Sequence, residues 1–512
     1  ITKSDLVDRE ILELVRLEIE ELVAGSFLEG KPIVPVSSTT GAGLDELRAA
    51  ILESVANVEN RDATTRVFRL PIDRVFTMKG FGSVITGTTY AGKVRVEDEV
   101  EVLPGGRRSR ARAIQVHGEP RDEAQAGERT SMNLADIALE ELHRGQQVLH
   151  PNTLRESQVI TVRLDLLDDA KPLKEQTRIR FHHLSAELLG TIRFVDETGA
   201  ELPPGTTAFA QVRLEAPIVA AAGDRFVIRR YSPAYTIGGG VILDAHLPKL
   251  SRGTRPELLA TLAHGTLHER VEMMARLQGL RGLTFDELQA RTGIRVETLT
   301  KELKKVPNTV LTGGTTFLHS DVIADFRKRA MQFLEQYFRD NKMAVHVPKG
   351  EFIQKLLPAG APVNFLLADL GKENIAVVQG DALDIPGRSK TLGGAEGELA
   401  REIENRYIDA GLNTPATSEL IKTIHQRPKV IEGVIGFLVK QGTLIRLAEG
   451  VYLHRDVIAS ARTKLAEKKG QTIDVGQFKD LFAISRKVAI PLLEFFDREG
   501  ATRRIGDARL VL

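Results

Sequence analysis

A cluster of basic residues near the end of the chain could bind phosphate groups. Two of them stand in the first turn of a predicted helix, behind a serine that fits the N-cap position, and three lie on the hairpin that follows. Cations in a first helical turn oppose the helix dipole, so an anionic partner explains them better than intrinsic helix stability does. The candidate phosphate-binding residues are Ser485, Arg486, Lys487, Arg503, Arg504 and Arg509.

Other features of the same segment limit this interpretation. Acidic residues are interspersed with the basic ones, so charge alone does not establish nucleic-acid binding. Pro491 lies inside the helix, where it removes one backbone hydrogen bond. The predicted core stripe of this helix consists of Val488, Leu492, Phe495 and Phe496.

A second candidate site, for a guanine base, lies at the start of the chain. An aspartate carboxylate can accept hydrogen bonds from the N1–H and the amine of guanine, a lysine stem can cover the ring, and a backbone N–H can donate to O6. Asp5, Lys3 and Ser38 could fill these roles, although an N-cap aspartate beside a solvated lysine is the alternative. The candidate guanine-binding residues are Thr2, Lys3, Asp5, Ser37, Ser38 and Thr39.

Nucleotide hydrolysis needs a phosphate-binding loop, a lysine on the phosphates and metal ligands. The sequence from Gly87 to Lys93 does not provide this loop, because Val94 follows where Ser or Thr is required. We interpret Gly238-Gly239-Gly240 as a turn before a strand. We therefore assign no catalytic residue and no metal ligand, and expect weak or no GTP binding by this chain.

Composition sets the broad class. The 512 residues exceed what one hydrophobic core usually supports, so several domains are expected. The net charge of +1 gives no overall preference for nucleic acid. The absence of cysteine excludes disulfides and thiol chemistry, and no apolar run approaches the ~20 residues that span a bilayer. Residue 1 is Ile, which fits a truncated or processed chain.

The first half of the chain predicts an α/β segment and two β domains. A helix over 5–24, a strand over 31–36 and a helix over 44–55 predict the end of a doubly wound α/β domain at residues 1–60. Residues 57–65 read as a linker. Short alternating strands broken by glycines then predict two antiparallel barrels, at 61–152 and 153–250.

The second half predicts a helical array. Residues 317–324 resemble residues 452–459, a spacing of two units of roughly 67 residues. Each unit reads as a helix, a helix–turn–helix and a two-stranded wing. The predicted units are 251–320, 321–390, 391–455 and 456–512; prolines interrupt the helix–turn–helix of the second, around residues 352–370.

The sequence resembles the translational GTPases of the elongation factor Tu class. Residues 70–76, 79–88, 92–94, 98–100 and 144–149 are similar to the second domain of that class, and residues 224–229 and 235–242 to the end of its third domain. With the helical tail included, the chain most resembles the bacterial selenocysteine-specific elongation factors. The resemblance implies a multidomain α+β fold: the C-terminal part of a GTPase domain, two β-barrels and four tandem winged-helix domains.

The resemblance also implies a function. Such a factor delivers selenocysteinyl-tRNA to the ribosome at UGA codons, while its last winged helix binds an insertion hairpin in the mRNA. The full-length parent would use GTP with Mg²⁺, in the cytoplasm, as a monomer without membrane contact. The selenol is largely ionised at neutral pH and calls for positive charge, so Arg112 and His117 are candidates for lining the aminoacyl pocket, with Asp73 a further candidate. Arg229, Arg230 and Tyr231 are candidates for contact with the tRNA stem.

Three alternatives stay open at this point. The arginines between residues 107 and 112 could line the aminoacyl pocket or form a solvated strand edge. The last unit could belong to a winged-helix regulator that reads duplex DNA. The tail could also be a scaffold array with solvated charges.

Overall fold

The computed structural model describes residues 1–56, 58, 63–78, 82–196, 198–250, 256–341, 344–388, 392 and 394–512. The predicted linker over 57–65 and the motif at 79–88 lie partly outside the described residues, as do the predicted domain boundaries after residues 60, 250 and 390.

The first segment contains two helices, α1 (Arg9–Val23) and α2 (Leu44–Ala56). The first starts later than predicted, because the Asp8 side chain accepts a hydrogen bond from Ile11 N–H and caps the helix there. The strand predicted over 31–36 is wrong as a strand. Its backbone pairs with Ile1, through Val34 O and Val36 N, and with Ser4, through Val36 O, and this pairing is too short to form a ladder.

The second segment forms an eight-stranded antiparallel sheet in the order β1-β10-β5-β6-β9-β3-β2, with β7 paired to β6. We call it the sheet region; β4 and β8 pair separately within it. Its ladders bury side chains on alternate positions. The strands are β1 (Arg69–Pro71), β2 (Arg74–Met78), β3 (Gly82–Thr88), β4 (Lys93–Arg95), β5 (Glu99–Leu103), β6 (Arg107–Val116), β7 (Glu119–Arg121), β8 (Glu123–Gln125), β9 (Arg129–Leu134) and β10 (Gln147–Leu149).

The third segment closes into a six-stranded barrel in the order β11-β16-β14-β13-β17-β18, as predicted for a second barrel. Its core includes Phe181, Phe194 and Phe226. The strands are β11 (Glu156–Leu166), β12 (Leu173–Lys174), β13 (Arg178–His183), β14 (Ala186–Phe194), β15 (Glu201–Leu202), β16 (Thr207–Val219), β17 (Arg225–Arg230) and β18 (Thr236–Asp244).

The three consecutive glycines of the barrel are not a turn, which corrects the interpretation from sequence. Gly238, Gly239 and Gly240 lie inside β18, the strand that closes the barrel against β11 and β17. A Cβ on Gly239 would lie 2.7 Å from Phe226 O, and one on Gly238 would lie 2.5 Å from Asp165 O. Glycine is needed here because neighbouring strands approach too closely for any side chain.

Helices dominate the rest of the described chain, in four successive helical sets that each end in a β-hairpin. The first set comprises α3 (Pro256–His264), α4 (Leu267–Gln278), β19 (Leu283–Thr284), α5 (Phe285–Thr292), α6 (Val296–Glu302), β20 (Thr309–Thr312) and β21 (Thr316–His319). The second set comprises α7 (Ser320–Asp340), β22 (Val347–Pro348), α8 (Lys349–Leu356), α9 (Val363–Lys372), β23 (Val377–Gln379) and β24 (Ala382–Asp384). Its prolines 358 and 362 fall in the turn between α8 and α9, so they do not interrupt either helix.

The remaining two sets follow the same plan. The third set comprises α10 (Gly394–Ala410), α11 (Thr417–Thr423), α12 (Pro428–Lys440), β25 (Leu444–Ala448) and β26 (Val451–His454). The fourth set comprises α13 (Arg455–Ala466), β27 (Thr472–Asp474), α14 (Val475–Phe482), α15 (Arg486–Arg498), β28 (Thr502–Ile505) and β29 (Ala508–Val511).

The sequence repeat marks the passage from one set to the next. His319 and His454 are buried and occupy the N-caps of α7 and α13. The Nδ1 atom of each accepts a hydrogen bond from the backbone N–H two residues later, at 3.1 and 3.2 Å. The repeated histidine therefore starts the first helix of the following set.

Candidate nucleic-acid and nucleotide sites

The start of α15 presents two cations to solvent. Arg486 and Lys487 are exposed, and within the described residues neither makes an ion pair. The same helix buries Val488, Leu492 and Phe496, so the predicted core stripe is confirmed and holds the helix against the set. The stripe leaves the first turn free to contact a ligand.

Ser485 occupies the N-cap of α15, as predicted, but its side chain makes no capping hydrogen bond. Its backbone carbonyl accepts from both Val488 and Ala489 N–H, at 3.0 Å each. Six residues after Ser485, Pro491 has no N–H for the carbonyl of Lys487, although α15 continues through it. Both features leave polar groups unused by the helix at its exposed start.

The wing divides the predicted cluster. Arg503 and Arg504 are exposed on β28. Arg509 is 6 % exposed, and its Nε lies 3.3 Å from the carboxylate of Asp497, which also accepts a hydrogen bond from Thr502 at 2.6 Å. This placement corrects the predicted set: Arg509 joins the wing to α15, and four cations remain at the surface.

The two predicted guanine loops lie next to each other. Ser4 N–H donates to Val36 O at 3.2 Å, and Val36 N–H donates to Ile1 O at 2.7 Å. Lys3 has a positive φ of 58°, which turns the chain into the short 3-10 helix that contains Asp5. The backbone pairing therefore brings both halves of the predicted guanine site together.

The second guanine loop is held by its own buried serine. Ser37 is fully buried; its N–H donates to Ala42 O at 3.0 Å, and its Oγ accepts from Thr40 N–H at 3.2 Å. Ser38 and Thr39 are exposed beside it, as are Thr2, Lys3 and Asp5 on the first loop. Ser37 is therefore a structural residue, and Ser38 is the one free to contact a base.

The predicted aminoacyl pocket is divided between two places in the sheet region. Asp73 forms an ion pair with Arg129 and accepts a hydrogen bond from Thr86 at 3.0 Å. His117 lies in the turn between β6 and β7, and its N–H donates to Arg129 O at 3.1 Å. Arg112 is five residues earlier on β6, roughly 16 Å away at about 3.3 Å per residue. There it faces Asp136, so it lies apart from the other two predicted residues.

Arg129 is the residue that the sequence interpretation missed. Burial raises the pKa of Asp73, but the hydrogen bonds from Arg129 and Thr86 outweigh it and hold that pKa below its usual range. The Arg129 side chain remains 41 % exposed, so this fixed positive charge is only partly buried. A lone arginine at the start of a strand carries no local signal; only the ladder between β3 and β9 brings it to Asp73.

The barrel carries a further basic surface around Tyr231. The guanidinium groups of Arg178 and Arg180 lie 4.8 and 5.7 Å from the centre of its ring. Arg230 donates to the hydroxyl of Tyr235 at 3.1 Å. Arg229 to Tyr231 therefore belong to a larger group of arginines and tyrosines at one end of the barrel.

The described residues contain neither a candidate metal cluster nor a candidate membrane-spanning helix. No group of three or more His, Cys, Asp or Glu side chains could hold a metal ion. No described helix is both long and apolar enough to cross a membrane.

Three family models match separate parts of the chain. Residues 82–149 match domain 2 of elongation factor Tu, residues 157–249 match the β-barrel domain of the selenocysteine-specific elongation factor, and residues 464–511 match the winged helix of elongation factor SelB. Together with the closed barrel, these matches define the chain as a translation elongation factor that carries a winged helix at its C-terminal end.

Individual relatives identify the family. The chain is 36 % identical to the selenocysteine-specific elongation factor of Desulfomicrobium baculatum, over the whole chain and 82 % of that protein. It is 26 % identical to the Escherichia coli factor of the same name, over the whole chain and 81 % of that protein. A crystal structure of a bacterial selenocysteine-specific factor shares the fold, with a TM-score of 0.66 at 23 % identity, over the whole chain and 80 % of that structure. The chain belongs to the selenocysteine-specific elongation factors, and these matches favour a translation role over a DNA-binding regulator.

Proposed function

We propose that this chain carries selenocysteinyl-tRNA on its sheet region and barrel and binds an mRNA hairpin through its fourth helical set. In this proposal the four helical sets are four winged-helix domains, and residues 1–60 are the end of a GTPase domain. The protein would act as a monomer in the cytoplasm and deliver its tRNA to the ribosome at UGA codons. The observation that carries the proposal is the exposed, unpaired first turn of α15, with Arg486 and Lys487 beside the wing arginines.

The N-terminal loops fit the guanine half of GTP. The Asp5 carboxylate would accept hydrogen bonds from the base, the stem of Lys3 would cover its ring, and Ser38 N–H would donate to O6. The sequence offers no motif for the phosphates or for Mg²⁺. We therefore propose that GTP binds to the full-length parent and assign no hydrolytic step to this chain.

The aminoacyl pocket is proposed around Arg129. Its guanidinium is held by Asp73 and faces solvent beside His117, so it offers positive charge to an ionised selenol. Serine carries no charge at the same position and would gain less from this arginine. The pocket would therefore favour selenocysteine by electrostatic attraction.

The hairpin site is tested by filter binding with RNA hairpins selected from a randomised-loop pool, duplex DNA of matched length and a salt titration. We expect hairpin RNA to bind more tightly than duplex DNA. Replacing Arg486→Ala with Lys487→Ala should abolish hairpin binding without unfolding the fourth set, because both side chains are exposed. A matched control is Lys468→Ala with Lys469→Ala, which removes the same charge from an exposed turn of the same set.

Other outcomes would select the alternatives. Preference for duplex DNA would support a DNA-binding regulator, and no binding to either nucleic acid would support a scaffold array. Equal losses in the α15 variant and in its control would show that net charge, and not the start of α15, carries the binding.

A further inference from the structure

The sheet region, the barrel and the first helical set meet at one short turn. This turn, residues 291–295, comprises the last two residues of α5 and the three residues that lead into α6. Its backbone forms hydrogen bonds with the sheet region and with the barrel. Gly293 O accepts from Val67 N–H at 3.0 Å, and Arg295 N–H donates to Thr65 O at 2.8 Å. Arg291 O accepts from Ala222 N–H of the barrel at 2.7 Å. The turn therefore lies across the seam between sheet region and barrel.

A buried ion pair fixes the turn to the barrel. Arg291 is 3 % exposed and Asp244, at the end of β18, is fully buried. Arg291 Nη1 lies 2.8 Å from Asp244 Oδ2, and Nη2 donates to His246 O at 3.2 Å. Buried pairs of this kind add little net stability compared with apolar packing, but they impose a single geometry on the parts they join.

A second buried ion pair lies in the same seam. The Nη1 and Nη2 atoms of Arg69, on β1, donate hydrogen bonds to the two carboxylate oxygens of Asp224, at 2.8 and 2.7 Å. His183 Nε2 lies 3.0 Å from the same carboxylate. Asp224 also accepts a hydrogen bond from Ala221 N–H, next to the residue that binds Arg291 O. One member of each ion pair, Arg291 or Asp224, therefore accepts a hydrogen bond from one of two adjacent barrel residues, Ala222 or Ala221.

The turn has little freedom to move. Gly293 has a φ of 69°, and a Cβ added to it would lie 3.3 Å from the Cβ of Ala221. Arg66 and Ile294 form an isolated antiparallel bridge, which extends the contact along the chain that leads into β1. Four residues beyond Arg69 lies Asp73, the partner of Arg129 in the proposed aminoacyl pocket.

We propose that the α5–α6 turn is a positioning element, which fixes the aminoacyl pocket of the sheet region relative to the basic surface of the barrel and to the helical tail. This proposal rests on the proposed function, because it assumes that one aminoacylated tRNA contacts both β parts. Arg291 and Gly293 are positioning residues and touch no ligand. Their role is to fix the aminoacyl pocket and the basic surface of the barrel relative to each other before the tRNA binds, so that binding does not have to order them.

The test measures distances and binding in the same protein. The chain has no cysteine, so Glu119→Cys in the sheet region, Lys171→Cys in the barrel and Glu302→Cys in the first set can be spin-labelled in pairs at exposed sites. The perturbing variants are Arg291→Met with Asp244→Asn, which removes both charges together, and separately Gly293→Ala. The control is Arg276→Met in the first set, which removes an exposed ion pair with Asp321 of the second set.

The expected results separate positioning from a general loss of folding. Both perturbing variants should broaden the distances from Glu302→Cys to the other two labels and weaken binding of aminoacylated tRNA at least fivefold. Their affinity for the hairpin should stay within twofold, as should both affinities of the control. Narrow distances in both perturbing variants would overturn the proposal. If the unmodified chain does not bind aminoacylated tRNA, the proposed function fails, and the distances still decide the role of the turn.

Discussion

Two turns of nearly the same shape have opposite surroundings in this molecule. Gly293 and Ala483 each end a helix in the left-handed conformation, and each is followed by two residues and a new helix. The first turn is buried against the sheet region and barrel, whereas Ala483 and Ser485 in the last turn are exposed. Helical sets of one plan thus place a buried turn at one end of the tail and, at the other, an exposed turn that we propose binds RNA.

The residues that follow each turn fit these surroundings. Helix α6 continues with Val296 and Glu297, and Glu297 pairs with Arg295 at 3.2 Å. Helix α15 begins with Arg486 and Lys487, which have no ion-pair partner within the described residues. The two turns therefore differ in the charge of the following first helical turn more than in their backbone.

The largest expected effect comes from breaking the Arg69–Asp224 ion pair in the seam between the sheet region and the barrel. Replacing Arg69→Met leaves Asp224 buried without its main partner and should destabilise the β parts by about 3–5 kcal/mol. Urea unfolding followed by circular dichroism measures this loss. The control Arg95→Met breaks an exposed pair with Glu123 and should cost far less. Equal losses would contradict the role given to the buried pair.

The same pair predicts a pH dependence. Burial raises the pKa of Asp224, but Arg69 and the hydrogen bond from His183 outweigh it and hold that pKa well below its usual range. A depressed folded-state pKa gives stabilisation that is complete above the unfolded value, about 4, and is lost as the pH falls below it. The stability difference between the native chain and Arg69→Met should therefore shrink between about pH 5 and pH 3, and a constant difference would contradict this cause.

The next prediction concerns a variant in which the exposed turn before α15 is followed by the same two residues as the buried turn before α6. Arg486→Val with Lys487→Glu gives α15 the two residues that begin α6. Hairpin affinity should fall about 100-fold or more, about 2.7 kcal/mol, while thermal unfolding changes little. Lys468→Val with Lys469→Glu carries the same charge change and should retain most of the binding. Retained affinity in the α15 variant would remove the assigned interface.

A smaller effect separates the two kinds of wing arginine. Arg503→Ala should weaken hairpin binding and lower the salt slope by about one phosphate contact, without loss of stability. Arg509→Ala should instead destabilise the fourth set by about 1–3 kcal/mol, because it removes the partner of Asp497. Filter binding and thermal unfolding of both variants measure the split, and the reverse pattern would mean that Arg509 contacts RNA.

The smallest effect tests whether charge alone creates a ligand surface. Glu297→Lys places a cation in the first turn of α6, where the adjacent turn is already occupied by the β parts. Hairpin affinity should stay within twofold, and stability should change by less than about 1 kcal/mol, because the pair with Arg295 is exposed. A clear gain in RNA affinity would show that the buried turn does not exclude a ligand.

Much of the fold follows from local sequence patterns. Alternating strands predicted the barrel, and the repeated segment around His319 and His454 predicted an array of similar helical units. The glycine triplet misled the sequence interpretation, because glycine marks turns locally whereas here it permits close strand packing. The strand over 31–36 failed for a related reason, since a strand is defined by its partners as well as by its residues.

The candidate functional sites also combine features that follow from the sequence with features that depend on the tertiary structure. Sequence alone determined the basic start of α15, the two candidate guanine loops and the resemblance to a family, because residue type and spacing carry that information. Only the tertiary structure decided that Arg509 is buried, that Asp73 is paired with Arg129, and that one helical turn lies in the seam while its counterpart is open. The physical reason is that ion pairing and burial depend on contacts between residues far apart in the chain, which no local pattern specifies.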